Sequence, residues 1–259
     1  MAGSSERESR TATEGLPIMR VPAAVLLGVT VWRAAIAALA LTGFALYNQG
    51  RLINLVFLTQ IGNLVCGVLF ALLLIYPIFT LGRRHEPRTG FLRGANVVVM
   101  TIVMIVYMGP MGGDISETRD LLCHLVTPLL VVADWLFVGR NQQWCRAWYP
   151  LLWLVYPAAY LVFYTIYDPT FKDRYGQHIY PDFLEVGEGS YPGIVAALVA
   201  GTTLLAFFVF GIGRVKGALS TPAPPPPMPW PPNQPPSQPA YPPPYQQGPP
   251  PNQQPAPPY

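Results

Sequence analysis

The sequence predicts an all-α fold, a polytopic transmembrane bundle of six helices with a disordered, proline-rich C-terminal tail. Three observations lead there. Apolar residues make up 51% of the 259 residues and charged ones only 11%, against roughly one quarter charged in soluble domains. The charges gather between long apolar runs, and six runs meet the need for about 20 helical residues per crossing of a hydrocarbon core of about 30 Å. From Ser220 to Tyr259 no residue is charged and proline recurs throughout.

The chain divides into a polar N-terminus at 1–20, a six-helix transmembrane domain at 21–215 and a proline-rich tail at 216–259. The N-terminus carries Glu6, Arg7, Glu8, Arg10, Glu14 and Arg20. The apolar run after it, 22–47, exceeds a signal-peptide core and has no convincing cleavage site, so it reads as a retained first span. Further spans are expected at 55–81, 91–110, 120–138, 148–167 and 192–213. Pro128 and Pro157 interrupt the fourth and fifth, each freeing a backbone carbonyl and opening space between helices. Trp148, Tyr149 and Trp153 fit an interfacial aromatic belt. The tail cannot form a helix or a sheet interior, because proline fixes its backbone and lacks a donor, so an extended polyproline II ensemble is expected. Pro242-Pro243-Pro244-Tyr245 has the form that WW domains bind. The tail is therefore either a docking arm for a proline-rich-motif binder or a solubilising segment without a fixed partner.

Charge distribution predicts orientation. Arg7, Arg10, Arg20, Arg83, Arg84, Arg88, Arg93, Arg140, Arg146, Arg214 and Lys216 fall on one side of the six-span frame. Only Arg51, Arg119, Lys172 and Arg174 fall on the other. The positive-inside rule then predicts a multi-pass protein of the cell membrane with both termini cytoplasmic. A net charge of +3 is too small to suggest nucleic acid. Cys66, Cys123 and Cys145 lack a metal-ligand spacing, and none is expected in a disulfide. His178 and Asp182, in an acidic external connection, are two ligands without recognisable spacing, so no metal centre is expected, nor any cofactor.

Chemistry is sought among polar residues inside the spans. His124 sits in the apolar stretch Leu121–Val138, where an ionisable side chain is costly and is a functional-site candidate by default. Thr59 lies about four residues below the same surface on the second span, so a hydroxyl and an imidazole share one depth. A threonine hydroxyl is a weak nucleophile that needs an adjacent base, and neutral imidazole is one. Asn63, one turn below Thr59, is placed to donate to an oxyanion or to position substrate. Plainer roles stand beside these. Thr59 can bond back to the carbonyl of Leu55, and His124 and Asn63 can join helices.

Arg33 lies near the middle of the first span, and Asp134 is the counter-ion nearest in depth. A buried structural ion pair is the expectation, with capture of a lipid carboxylate by Arg33 as the sharper alternative. Tyr156, Tyr160 and Tyr164 follow at i, i+4 and i+8 on one face of the fifth span, either packing or lining a cavity for an amphipathic ligand.

Taken in order, Phe57-Leu58-Thr59-Gln60 with Asn63, Asp120-Leu121-Leu122-Cys123-His124 with Pro128, Asp134-Trp135, Tyr156-Pro157-Ala158-Ala159-Tyr160 and Tyr180-Pro181-Asp182-Phe183-Leu184 resemble a known pattern. It is similar to the bacterial branch related to the androgen-induced and androgen-dependent integral membrane proteins, over about residues 20–215. The resemblance implies a threonine hydrolase acting on a lipid ester, of the type that joins a fatty acid to a hydroxy fatty acid. By motif Thr59 matches the family's threonine and His124 its histidine. The Tyr-Pro and Asp-Trp elements look characteristic of the bacterial branch. The expected function is thus an intramembrane lipid-ester hydrolase with a Thr-His dyad. A non-catalytic lipid-binding or transport protein is the alternative, as is an envelope scaffold that uses its tail.

Overall fold

Long apolar runs without charge form helices wherever water is scarce, because a helix satisfies its own backbone. The computed structural model describes residues 21–180 and 183–220. The N-terminus 1–20, Asp182 and the tail 221–259, with its Pro242 to Tyr245 motif, lie outside the described residues. Six helices are long and apolar enough to cross a membrane: α1 (Ala23–Asn48), α2 (Leu58–Phe79), α3 (Phe91–Met108), α4 (Thr118–Phe137), α5 (Tyr149–Tyr175) and α6 (Tyr191–Ser220). No strand occurs among the described residues.

Apolar side chains lie outside the bundle as well as inside it, and several polar ones are buried. Leu27, Leu72, Ile78, Ile166 and Leu204 face outward, whereas Arg33, Gln60, Asn63, Arg93, Asn96 and Asp134 are buried. Apolar side chains cost nothing against lipid tails, and polar ones find partners only inside. This pattern is compatible with an integral membrane protein.

Local chemistry sets the helix ends. α1 stops where Gln49 and Gly50 take φ of 47° and 72°, a left-handed turn in which glycine carries no Cβ penalty. A 3-10 turn, Leu52–Val56, follows, so α2 begins at Leu58 rather than 55. In α4 the residues Leu122–Val126 form a π turn, in which the Thr127 N–H bonds the carbonyl of Leu122. Pro128 supplies the reason: it has no N–H for the carbonyl of His124, four residues back. α5 is divided in the same way into Tyr149–Trp153 and Val155–Tyr175. Pro157 leaves the carbonyl of Trp153 without its helical donor. Both interruptions are where the prolines predict them.

α5 also runs to Tyr175 instead of ending at 167. Its polar last turns are stabilised by Asp168, whose carboxylate is fully buried and accepts the Ile179 N–H at 2.8 Å. α6 continues past 213 because Arg214 and Lys216 reach carbonyls of Gln143 and Trp135, at 3.1 and 3.2 Å.

α1 packs along α2, and α3 lies centrally against α2, α4 and α6. The main core gathers Ile36, Phe70, Val98, Met100, Trp135 and Trp153. Gly94 lets α3 approach α5 closely, since a Cβ there would lie 2.2 Å from the Trp153 ring. The bundle has two unlike ends. One carries the connections 80–90 and 138–148 together with the start of α1 and the end of α6. The other carries the start of α2, the start of α4 and the connection after α5.

The first end is centred on Arg93. The sequence places Arg93 in a connection, but it belongs to the first turn of α3 and is 3% exposed. Its Nε donates to Asp134 Oδ2 at 2.8 Å. One Nη donates to Glu86 and Asn141, and the other to the carbonyls of Asp134 and Val138. All five guanidinium protons are therefore used. The expected Arg33–Asp134 ion pair is not formed. Asp134 instead pairs with Arg93 at 2.6 Å and accepts the Trp32 indole N–H at 3.2 Å. Arg33 donates to the carbonyls of Leu73 and His85. Depth matches Arg33 to Asp134, but depth alone does not say which way a side chain turns about its helix.

Two measurements test this frame. Asp134→Ala leaves Arg93 and Arg33 facing Glu86 alone, and breaking a buried pair in this way costs about 3–5 kcal/mol. The expected result is a large fall in the thermal midpoint of the detergent-solubilised protein. Cys66, Cys123 and Cys145 are all free and buried, and burial raises the Cys145 thiol to about 11. N-ethylmaleimide at neutral pH should label none of them until denaturant is added.

Candidate functional site

At the end opposite Arg93, a cavity of about 190 Å³ lies between α2, α3, α4, α5 and α6. Its wall is mostly aliphatic and aromatic, from Ile102, Val103 and Val106 of α3, Leu154, Pro157 and Leu161 of α5, and Leu198 of α6. Pockets that enclose a whole small ligand run to about 300–1,000 Å³. This one suits a segment of an acyl chain, with the remainder leaving through its open side.

Thr59 and His124 both line it. Thr59 is the second residue of α2, because the 3-10 turn delays the helix. It makes no bond to Leu55, whose carbonyl lies outside the helix. The Thr59 N–H makes no backbone hydrogen bond among the described residues. His124 lies on the π turn of α4 and is 4% exposed. Its ring stacks on Tyr107 with centroids 3.5 Å apart and planes 6° from parallel. His124 Nδ1 lies 3.2 Å from the Asp120 carbonyl oxygen and 3.7 Å from its carboxylate. Donation from Nδ1 to that carbonyl leaves Nε2 as the basic nitrogen. No hydrogen bond joins Thr59 to His124 among the described residues.

The remaining candidates separate. Asn63 is fully buried and does not line the cavity. Its amide donates to the Thr59 carbonyl at 2.9 Å and to the Cys123 carbonyl at 3.3 Å, which uses both of its protons. That is the helix-joining role, and it ties α2 to the π turn. Of the three tyrosines only Tyr160 reaches the cavity. Tyr164 is buried in a second cluster with Val56, Phe171, Ile179 and Leu184, and Tyr156 is half-buried elsewhere. Arg33 and Asp134 belong to the other end.

The chain matches no family model, no curated protein and no solved structure. Its site is therefore read from its own geometry.

Four further residues hold the site; from the sequence, His178 enters only as a metal ligand, and Asp120 and Tyr180 only within the family pattern. Asp120 carries one detectable signal, its i, i+4 spacing to His124. Tyr107 carries none. Tyr180, after α5, accepts the Leu58 N–H at 3.1 Å and lies 3.0 Å from the Tyr160 hydroxyl, which donates to the Val56 carbonyl at 2.9 Å. Because Tyr160 spends its proton on Val56, Tyr180 donates to Tyr160. This chain of bonds pins the start of α2 beside Thr59. Burial holds the Tyr180 phenol above its ordinary pKa, so it stays a donor. His178 is the fourth. Its Nδ1 lies 2.5 Å from buried Asp168, which anchors the connection carrying Ile179 and Tyr180 over the cavity.

Tyr180→Phe should strand the Leu58 N–H in an apolar site, at a cost of about 1–3 kcal/mol. Chemical unfolding in detergent measures it. Tyr156→Phe, on a ring outside the cavity wall, should leave the binding of a hydrophobic fluorescent probe in that cavity unchanged.

Proposed function

We propose that this protein is an intramembrane lipid-ester hydrolase in which Thr59 is the nucleophile and His124 the base. One observation carries the reading: a hydroxyl and an imidazole from separate helices line the same apolar cavity. The family resemblance of the sequence supports it, as does an open side through which an acyl chain enters.

In this reading His124 Nε2 removes the Thr59 hydroxyl proton while Oγ1 attacks the ester carbonyl carbon. The bond to the alcohol oxygen breaks, His124 returns the proton to that oxygen, and an acyl-threonine remains. Water then attacks the acyl carbon, with His124 again taking the proton and returning it to Oγ1, and the fatty acid leaves. Asp120, 3.7 Å from Nδ1, stabilises the imidazolium as it forms. Asn63 has both amide protons engaged, so stabilising the oxyanion falls to the amino end of α2. There the Thr59 N–H, which makes no backbone hydrogen bond among the described residues, and the positive end of the helix dipole are the groups available to the developing charge in this reading. A protein of the cell membrane with cytoplasmic ends is part of the same proposal, on the positive-inside rule.

A second reading is a lipid-binding protein without turnover. The parallel stack of His124 on Tyr107, without a bond to Thr59, favours it. A fluorophosphonate probe separates the two on the purified full chain. Hydrolysis predicts labelling that falls by about 100-fold or more in both Thr59→Ala and His124→Ala. Retained labelling in Thr59→Ala removes the nucleophile, and bound but uncleaved lipid establishes the second reading.

A further inference from the structure

The connections 80–90 and 138–148 meet at the Arg93 end, where the Gly90 N–H bonds the Asn141 carbonyl at 3.3 Å. Between them lies a second cavity of about 580 Å³, lined by Arg83, Arg84, Arg88 and Arg140 with His85 and Thr89. All four arginines are exposed. Glu86 is the one carboxylate in the lining, and it is already engaged. Its Oε1 accepts the backbone N–H groups of Arg140 and Asn141, at 2.7 and 3.0 Å, and its Oε2 pairs with Arg93 at 3.0 Å. Among the described residues no ion pair reaches any of the four lining guanidinium groups.

Behind this wall Arg33 is fully buried and holds the carbonyl of His85, while its Nε and second Nη have no partner among the described residues. His85 adds little charge of its own. Burial lowers its pKa, and Arg33 and Arg93 act in the same direction against Glu86. The positive field of the cleft therefore comes from arginine, which does not titrate.

Four like charges around one concavity repel one another, and their exposure means that core packing does not require them. A tetrahedral oxyanion relieves the repulsion, because the guanidinium fork binds phosphate oxygens in pairs. The cleft also lies where the apolar spans end, at the level where anionic headgroups meet basic side chains. We infer that the cleft between 83–89 and 140–144 is a phosphate-binding site, supplied by the headgroup of an anionic phospholipid or by free phosphate. It is remote from Thr59 and independent of the hydrolase reading.

The test uses the full chain purified in dodecyl maltoside, titrated with dioleoylphosphatidylglycerol, dioleoylphosphatidylcholine or inorganic phosphate. Native mass spectrometry follows lipid retention, and the thermal midpoint follows phosphate. A headgroup site predicts phosphatidylglycerol retained at least about tenfold over phosphatidylcholine. Arg88→Gln or Arg140→Gln alone should weaken retention about fivefold, from about 1 kcal/mol per guanidinium near a lipid surface. Arg83→Gln, Arg84→Gln, Arg88→Gln and Arg140→Gln together should abolish the preference. Arg51→Gln, at the opposite end, should leave it unchanged. Stabilisation by inorganic phosphate that the same variants lose, without lipid preference, supports the site with free phosphate as its source. Should the fourfold variant fail to fold, the single variants decide. Equal retention of both lipids with no phosphate effect, or effects that the arginine variants leave intact, overturns the proposal.

Discussion

The bundle depends on a charge that cannot be left alone. Arg93 lies in the interior with every guanidinium proton donated, to two carboxylates, an amide and two carbonyls. An isolated charge in lipid or in a dry protein interior is costly. The structure meets that cost with neutrality as well as hydrogen bonds. Arg93 and Arg33 are two positive charges, Asp134 and Glu86 two negative ones, and the four act on one another. Arg33 is thus compensated by a cluster, without touching a carboxylate itself. The cluster links α1 through Trp32, α3 through Arg93, α4 through Asp134 and both connections at that end through Glu86 and Asn141. Moving any of these elements would unpair a buried charge, so the helices at this end have one arrangement.

The opposite end is held differently. Rings and hydrogen bonds do much of the work beside the Asp168–His178 pair, and two prolines free backbone carbonyls on the helices that border the cavity. The π turn of α4 carries His124, and the break in α5 exposes Pro157 to the same space. These interruptions make room that two regular helices would have filled. Tyr160 and Tyr180 fix the start of α2, and Asn63 fixes it to the π turn. Thr59 and His124 are therefore positioned by bonds made by their neighbours.

Much of this was legible because the signals are local. Span count follows from apolar length, which lipid thickness alone sets. The helix interruptions follow from Pro128 and Pro157, whose missing N–H is a property of the residue. The shared cavity of Thr59 and His124 agrees with their shared depth, which rise per residue gives without knowledge of packing. Asp134 was paired with the wrong arginine for a complementary reason. Depth is one coordinate, and Arg93 seemed to lie outside the membrane frame when it turns inward from the first turn of α3. The tyrosine stripe divides between its two expected roles: Tyr164 packs in a core cluster, and only Tyr160 meets the cavity.

By itself, then, the sequence determined which segments are helices, where prolines break them, and the depth of the polar residues along them, though not how far α5 and α6 extend. These are properties of one chain segment against one solvent. Only the tertiary structure decided which side chains face each other, because rotation about a helix axis is settled by neighbours far away in sequence. It joined Arg93 to Asp134 across 41 residues and Leu58 to Tyr180 across 122. It also gave Asn63 to the bundle and left Thr59 and His124 at the cavity wall.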